Sequence, residues 1–299
     1  MPEKSARKAY IFAILAVLFW ATSPTAFKLG LRVQDSYQLL TGASLTSTVV
    51  LGIIILIRGN LGKLLKLKWR DVGFSALMGL MNPVAYYLIL FKAYSILPAQ
   101  VAQPLNMLWP IVLVIISIPM LRQKISWKSV GAMLLSFTGV VLVSLQGGTG
   151  VKDPENGLGI LLALSTSVLW AFYFLYNAKD KKDSVVRLFL NFLFASTYLL
   201  IGGIIKGQVL PGSAEAWATA LYVGVFEMGV TFVWWLMAMH YAPTTDRISN
   251  LVYIAPFLNL IIVNQVLDES IYLTTVYGIV LLVSGIVIQK IVSRHAKIT

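Results

Sequence analysis

One carboxylate stands out by its surroundings. Glu227 lies inside the apolar run Leu221–Leu236, with no basic residue within a helical turn. A charge at the middle of a bilayer costs at least about 2.5–3.5 kcal/mol, so such a residue has a task or a partner. Two tasks fit: loading and releasing a proton, or pairing with a cationic group on a solute. A third reading is structural, a neutral Glu that ties two helices by one hydrogen bond. Counting back 145 residues from Glu227 reaches Asn82. Pro83 follows Asn82, while Gly224 and Gly229 flank Glu227, so helices are predicted to be weak at both places. Weak points at matching positions of two halves mark a transporter site, and the two residues are expected to approach each other.

Other polar and aromatic residues fall on predicted helix faces. Gln103, Asn106 and Pro110 stand at i, i+3 and i+7, and Asn250, Tyr253 and Phe257 repeat that spacing, with Asn259 and Asn264 further on. Interior amides either bind a solute or tie helices together at about 1 kcal/mol each. Trp20, Tyr86, Trp109, Trp170, Tyr173, Trp234 and Trp235 lie within apolar runs and not only at their ends. Tyr86 is four residues after Asn82 and Trp234 seven after Glu227, which predicts a shared face for each pair. These rings either wall a cavity or pack between helices. Pro83, Pro110 and Pro256 are candidate hinges. Asp246 and Arg247 are a candidate gate, or a local ion pair that snorkels to the surface.

Catalytic and metal chemistry find little support. The chain has no Cys and only His240 and His295 as histidines, so no thiolate or His-based metal site is expected. No nucleophile–base pair or carboxylate–His cluster occurs at helical spacing, which argues against an enzyme and against a cofactor. Gly59-Asn60-Leu61-Gly62-Lys63 lacks the spacing of a phosphate loop, and no segment has room for a nucleotide-binding domain.

The elements that must hold these residues are membrane spans. Of 299 residues, 58% are hydrophobic and 12% charged, against about 25% charged in a soluble globule; mean hydropathy is +0.80. Runs long enough to cross about 30 Å of hydrocarbon fall at 9–29, 37–57, 72–94, 98–120, 127–145, 157–178, 185–205, 216–240, 244–266 and 270–291. The first, preceded by Lys4, Arg7 and Lys8, is read as a retained span and not as a signal peptide. With the N-terminus in the cytoplasm, 18 of the 24 Lys and Arg residues fall in cytoplasmic gaps, as the positive-inside rule requires. The net charge of +12 is therefore assigned to topology and anionic lipid, not to nucleic acid. Both termini are expected in the cytoplasm of a cell (plasma or inner) membrane protein, monomeric or homodimeric.

A repeat runs through the chain. Ala93 with Pro98 and Pro110 recurs as Ala238 with Pro243 and Pro256, and Gln123 with Gly139 recurs as Glu269 with Gly285, at shifts of 145 and then 146 residues. Each half, 1–150 and 151–299, holds five spans. An odd number forces the copies to enter the membrane from opposite sides, so the expected fold is all-α, ten spans in two inverted five-helix repeats. With Phe19-Trp20-Ala21, Tyr241-Ala242-Pro243 leading to Pro256, and Leu267-Asp268-Glu269 before a Gly278/Gly285 helix, the whole chain resembles the drug/metabolite transporter superfamily, EamA type. Arg122-Gln123-Lys124 departs from it, standing where the family usually shows Gly-Glu-Arg. The resemblance implies a secondary carrier for small organic metabolites with a central cavity between the halves. Glu227 among amides and aromatics suits an amino acid, an amine or a related solute, with protons as the candidate coupling ion. A channel or a structural membrane subunit is the alternative, and an intramembrane enzyme a remoter one.

Overall fold

The structure, a computed structural model, describes residues 5–121, 127–145, 154–178, 180, 182–207, 209–242 and 250–295. Among these residues every regular element is helical. Eight stretches are long and apolar enough to cross a membrane: Ala6–Val33, Ser36–Ile57, Trp69–Ile96, Ala99–Ile116, Glu155–Asn177, Ser184–Ile205, Ala214–Tyr241 and Leu273–Val292. Two shorter apolar helices, Trp127–Val143 and Leu251–Leu267, bring the total to ten. In chain order they are the first to tenth helices below, and they fall on the ten expected runs. The ninth run was expected from residue 244; its described part opens as a 3-10 turn, Asn250–Ile254, and continues as an α-helix, Ala255–Leu267. Asp246 and Arg247 lie outside the described residues.

Short polar signals start and stop these helices. Asp35 caps the second helix, accepting from the amides of Tyr37 at 2.7 Å and Gln38 at 2.9 Å, and the Gln38 side chain closes the capping box. Ser213 caps the eighth helix through the Ala216 amide at 3.1 Å. Gly207, at φ 71°, ends the seventh in the left-handed conformation that a glycine reaches without steric cost.

Two compact units are distinguishable, and neither coincides with a half of the sequence. The first holds residues 1–91 and 178–255 and thus the first, second, seventh and eighth helices with most of the third. Its connections meet in pairs. Gln34, after the first helix, donates to the Ala216 carbonyl at 2.9 Å near the start of the eighth. The Ser5 amide donates to the Tyr241 carbonyl at 3.0 Å, joining the start of the first helix to the end of the eighth. Lys63, between the second and third helices, pairs with Asp183 at 2.7 Å before the seventh, and Lys182 pairs with Asp71 at 3.0 Å. Arg187 is buried beneath them, paired with Asp180 and donating to Ser75 Oγ at 2.7 Å. Each pairing joins gaps that a ten-span alternation puts on one side of the bilayer.

The second unit holds residues 92–177 and 256–299: the fourth, fifth, sixth and tenth helices, the end of the third and most of the ninth. Its tightest packing is between the fifth and tenth helices. A Cβ on Gly139 would lie 2.5 Å from the Gly278 carbonyl oxygen, and one on Gly278 would lie 2.7 Å from the Gly139 carbonyl oxygen. Ser136 Oγ donates to the Leu282 carbonyl at 3.0 Å in the same seam. Small residues let two backbones touch where lipid supplies no hydrophobic drive for association.

Two outcomes are expected. Gly139→Leu forces these backbones apart and should lower stability in detergent by about 1–3 kcal/mol, while Gly131→Leu, where an added Cβ meets nothing within 4 Å, should not. Equal thermal midpoints for the two variants would contradict the packing. Asp183 also carries a pH signature. Burial pushes its carboxyl up, but the hydrogen bond from Lys63 and the amides of Val186 and Val185 outweigh burial, holding it below the usual carboxylate range. Its contribution is present above the unfolded pKa of about 4 and lost as pH falls through the lower folded value. The acid limb of a stability–pH curve should flatten in Asp183→Asn.

Candidate substrate and coupling site

The third and eighth helices are both interrupted. In the third, the α-helix Trp69–Gly79 passes into a π-turn, Leu80–Ala85, before resuming as Tyr86–Ile96. Pro83 is the local cause. It has no N–H to give the helix, and its ring pushes the preceding residue out of the α region. Asn82 accordingly sits at φ −145°, ψ 117°, and the Asn82–Pro83 peptide is cis. In the eighth, Ala214–Tyr222 passes into a π-turn, Val223–Glu227, then Met228 and Gly229, and resumes as Val230–Tyr241. The Met228 amide donates five residues back to the Val223 carbonyl at 3.0 Å. Gly224 permits the turn to lie on the second helix: a Cβ there would stand 2.5 Å from the Ala43 carbonyl oxygen. Ser47 Oγ on that helix donates to the Met228 carbonyl at 2.9 Å, which satisfies a backbone group at the interruption.

Glu227 ends the π-turn of the eighth helix. Tyr87 Oη donates to its Oε1 at 2.9 Å. The Ser23 hydroxyl, which donates to the Phe19 carbonyl at 3.0 Å, also bears on this carboxyl, and among the described residues no cation does. Tyr87 is buried and fixed by Phe27 and Phe91, at ring distances of 6.4 and 5.5 Å. Next to Glu227 in the chain, Phe226 stacks on Phe19 at 4.4 Å with planes 5° apart, and Trp234 lies 5.6 Å from Phe19. Tyr222 reaches Phe226 at 5.0 Å and hydrogen-bonds Thr22 at 2.6 Å. The arrangement is a hydrogen-bonded carboxyl, without a cation against it among the described residues, next in the chain to half-buried aromatic rings.

Tyr87 hydrogen-bonds the carboxyl, while Tyr86, expected to share a face with Asn82, packs edge-on against Tyr87 at 4.8 Å. A π-turn holds one residue more than an α-turn, so the face predicted by counting four residues from Asn82 moves by one. Among the described residues no hydrogen bond joins Asn82 to Glu227. The turn bearing Asn82 packs on the seventh helix, whereas that bearing Glu227 packs on the first and second. Asn82 is buried, and its Oδ1 has no hydrogen-bond partner among the described residues. Trp20 packs against Trp235 at 5.3 Å and Phe232 at 5.7 Å, away from the Phe19–Phe226 stack. Tyr253 is buried in the 3-10 turn that Asn250 opens.

In the second unit, Asn106 donates to Thr166 Oγ1 at 2.7 Å, tying the fourth helix to the sixth. Gln103 is buried with its Oε1 unpartnered among the described residues, and Asn259 has neither side-chain atom partnered there. Trp170 lies 5.7 Å from Tyr173. The fourth helix stops at Asn106 and restarts at Trp109, so Pro110 does not continue the face of Gln103 and Asn106. Pro110 and Pro256 each stand second in a restarted helix, where a missing N–H has no partner to lose. Tyr87, Ser23 and Phe226 were not singled out in the sequence, and Phe19 only as part of Phe19-Trp20-Ala21; a π-period count of five from Asn82 would have found Tyr87.

The model of the EamA-like transporter family matches residues 7–145 and again 157–289. The chain belongs to the EamA-like transporter family. It is a ten-helix, all-α membrane transporter. Similar chains include a transporter of Clostridium kluyveri, 25% identical across 97% of this chain and 95% of its own. Another, from Archaeoglobus fulgidus, is 24% identical across 94% and 98% of the two chains. The aromatic amino acid exporter YddG of Ancylobacter novellus is 25% identical across 85% of this chain and 87% of its own. A solved crystal structure 19% identical to this chain, covering 98% of it and 99% of that chain, has a TM-score of 0.70 and shares the fold.

Tyr87→Phe keeps the ring packing and removes the donor to Glu227. It should cost about 1.5–3 kcal/mol, the range for hydrogen bonds to charged groups. In a Glu227→Gln background the same change should cost less, leaving a coupling of about 1 kcal/mol or more. Equal costs in both backgrounds, measured by unfolding in detergent, would remove the bond from the account.

Proposed function

We propose that this EamA-like transporter is a secondary carrier for a small organic solute bearing an ammonium group, an amino acid or related amine, and that it works by alternating access. The observation that carries the reading is Glu227. Its carboxyl accepts from Tyr87 at 2.9 Å, has no cation against it among the described residues, and lies beside the Phe19–Phe226 stack and Trp234. An ammonium group supplies the missing charge, and flat rings offer an apolar wall and a cation–π face. The kinship with an aromatic amino acid exporter supports an amino acid as solute. Asn82, at the interruption of the third helix, adds an amide oxygen without a partner among the described residues.

The two matches of the family model, one on each half, support the reading of five-helix repeats. Five helices per copy make them inverted, and interrupted helices at offsets of about 145 residues are where such carriers place their sites. In this reading Pro83, Pro110 and Pro256 stand where segments pivot, both termini face the cytoplasm of a cell membrane, and the energy comes from a gradient. A second reading has the same carboxyl carrying a proton in exchange for the solute. The hydroxyls around Glu227, Tyr87 as donor and Ser23 nearby, suit it, since a hydroxyl hydrogen-bonds either protonation state of a carboxyl.

Proteoliposomes separate the readings. Wild-type protein should give saturable uptake with counterflow for at least one amino acid or amine, first found by ligand-induced thermal stabilisation at two pH values. Glu227→Gln should lose flux by about 30-fold or more, the penalty for removing one member of a desolvated charge pair, with folding retained. A Glu227→Gln variant that keeps exchange but loses pH-driven uptake assigns the carboxyl to the proton. Wild-type flux and pH dependence in that variant would refute both roles, and non-saturating flux would indicate a channel.

A further inference from the structure

The first unit contains a cavity of about 490 Å3 that the transport reading does not use, lined by Lys63, Lys66, Leu67, Lys182, Asp183 and Val186. It lies between the connection that follows the second helix and the start of the seventh, where three membrane-crossing stretches begin or end, at Ile57, Trp69 and Ser184. Charge there is one-sided. Residues 58–71 and 179–187 contain nine Lys and Arg against three Asp. The acids are already engaged: Asp183 with Lys63, Asp71 with Lys182, and Asp180 with the buried Arg187. The Lys66 side chain has neither an ion pair nor a hydrogen bond among the described residues, and Lys63 and Lys182 each have ammonium protons to spare beyond one carboxylate.

The rim carries a second signal. Leu65 is 78% exposed and Trp69 90% exposed on either side of Lys66 and Lys68, and Ile57 and Leu61 are exposed nearby. Large apolar side chains and a tryptophan beside lysines, at the ends of spans, belong at the headgroup level of a bilayer. A soluble anion has no use for that apolar rim, while a phospholipid has chains to lay on it.

We propose that this cavity binds the headgroup of an anionic phospholipid from the adjoining leaflet, with Lys66 as the free cation that receives the phosphate, Lys63 and Lys182 beside it, and the acyl chains against Leu65 and Trp69. Basic pockets at the ends of membrane helices recognise anionic headgroups, at about 1 kcal/mol, or about fivefold, for each Lys or Arg. Occupation would link the connection at 58–68 to the start of the seventh helix, reinforcing the Lys63–Asp183 pair.

The test uses the full-length protein in nanodiscs and in detergent. Native mass spectrometry should retain phosphatidylglycerol over phosphatidylcholine on the wild type, and phosphatidylglycerol should raise its thermal midpoint. Lys66→Gln, which breaks no described contact, should reduce retention about fivefold; Lys66→Arg should restore it. Lys128→Gln, an exposed change at the start of the fifth helix, should leave it unchanged. Equal retention of the two lipids by the wild type would overturn the proposal. So would an equal loss in Lys128→Gln, which would mean a diffuse positive surface. Displacement of the lipid by millimolar inorganic phosphate, with matching stabilisation, would mean a soluble-anion site and would overturn the lipid assignment.

Discussion

A carboxyl placed between the ends of a long apolar stretch must draw its hydrogen bonds from its own fold, because lipid offers none. Glu227 draws one from Tyr87, and both helices involved are irregular beside the bond. Had the third and eighth helices been continuous, the faces of these residues would be turned by about one residue each. The interruptions in turn require that loosened backbone be satisfied, as Ser47 does for the Met228 carbonyl, and that neighbours come close, as Gly224 allows against the second helix. The carboxyl, the breaks and the small residues form one solution to a single constraint: polar groups without water.

That constraint explains what could be read in advance. The ten spans are written as unbroken apolar runs, and lipid leaves few other uses for them. The position of Glu227 was legible because one acid in sixteen apolar-dominated residues is conspicuous, and the weak points were legible because proline and glycine announce them. Tyr87 was not, because the choice between it and Tyr86 depends on a π-turn, which adds a residue without any marker of its own. Contacts between distant segments were equally hidden. Pro98 offers no side chain to cap the fourth helix; Glu269 supplies the cap, accepting from the amides of Ala99 at 2.9 Å and Gln100 at 3.3 Å. In the sequence Glu269 was a repeat marker and part of a short acidic motif, and neither names a partner 170 residues away.

The same holds for the seam of Gly139 and Gly278. Gly139 and Gly285 were noticed as markers of a repeat, while their physical use is to let the fifth and tenth helices touch along their backbones. The ionic cluster of Arg187, Asp180, Asp71 and Lys182 is similar: its basic members were counted among the charges that set orientation, and the cluster also fastens the start of the seventh helix to the start of the third.

Both compact units draw helices from both ends of the chain, the first from residues 1–91 and 178–255, the second from 92–177 and 256–299. This has a consequence for biosynthesis. When a ribosome has delivered the first five spans, neither unit has all its members, and the turn bearing Asn82 still lacks the seventh helix on which it packs. The first unit completes once the eighth helix arrives, and the second only with the tenth. Quality control that recognises polar side chains facing lipid therefore has a long window in which to act on the nascent protein, and the last helix inserted closes it.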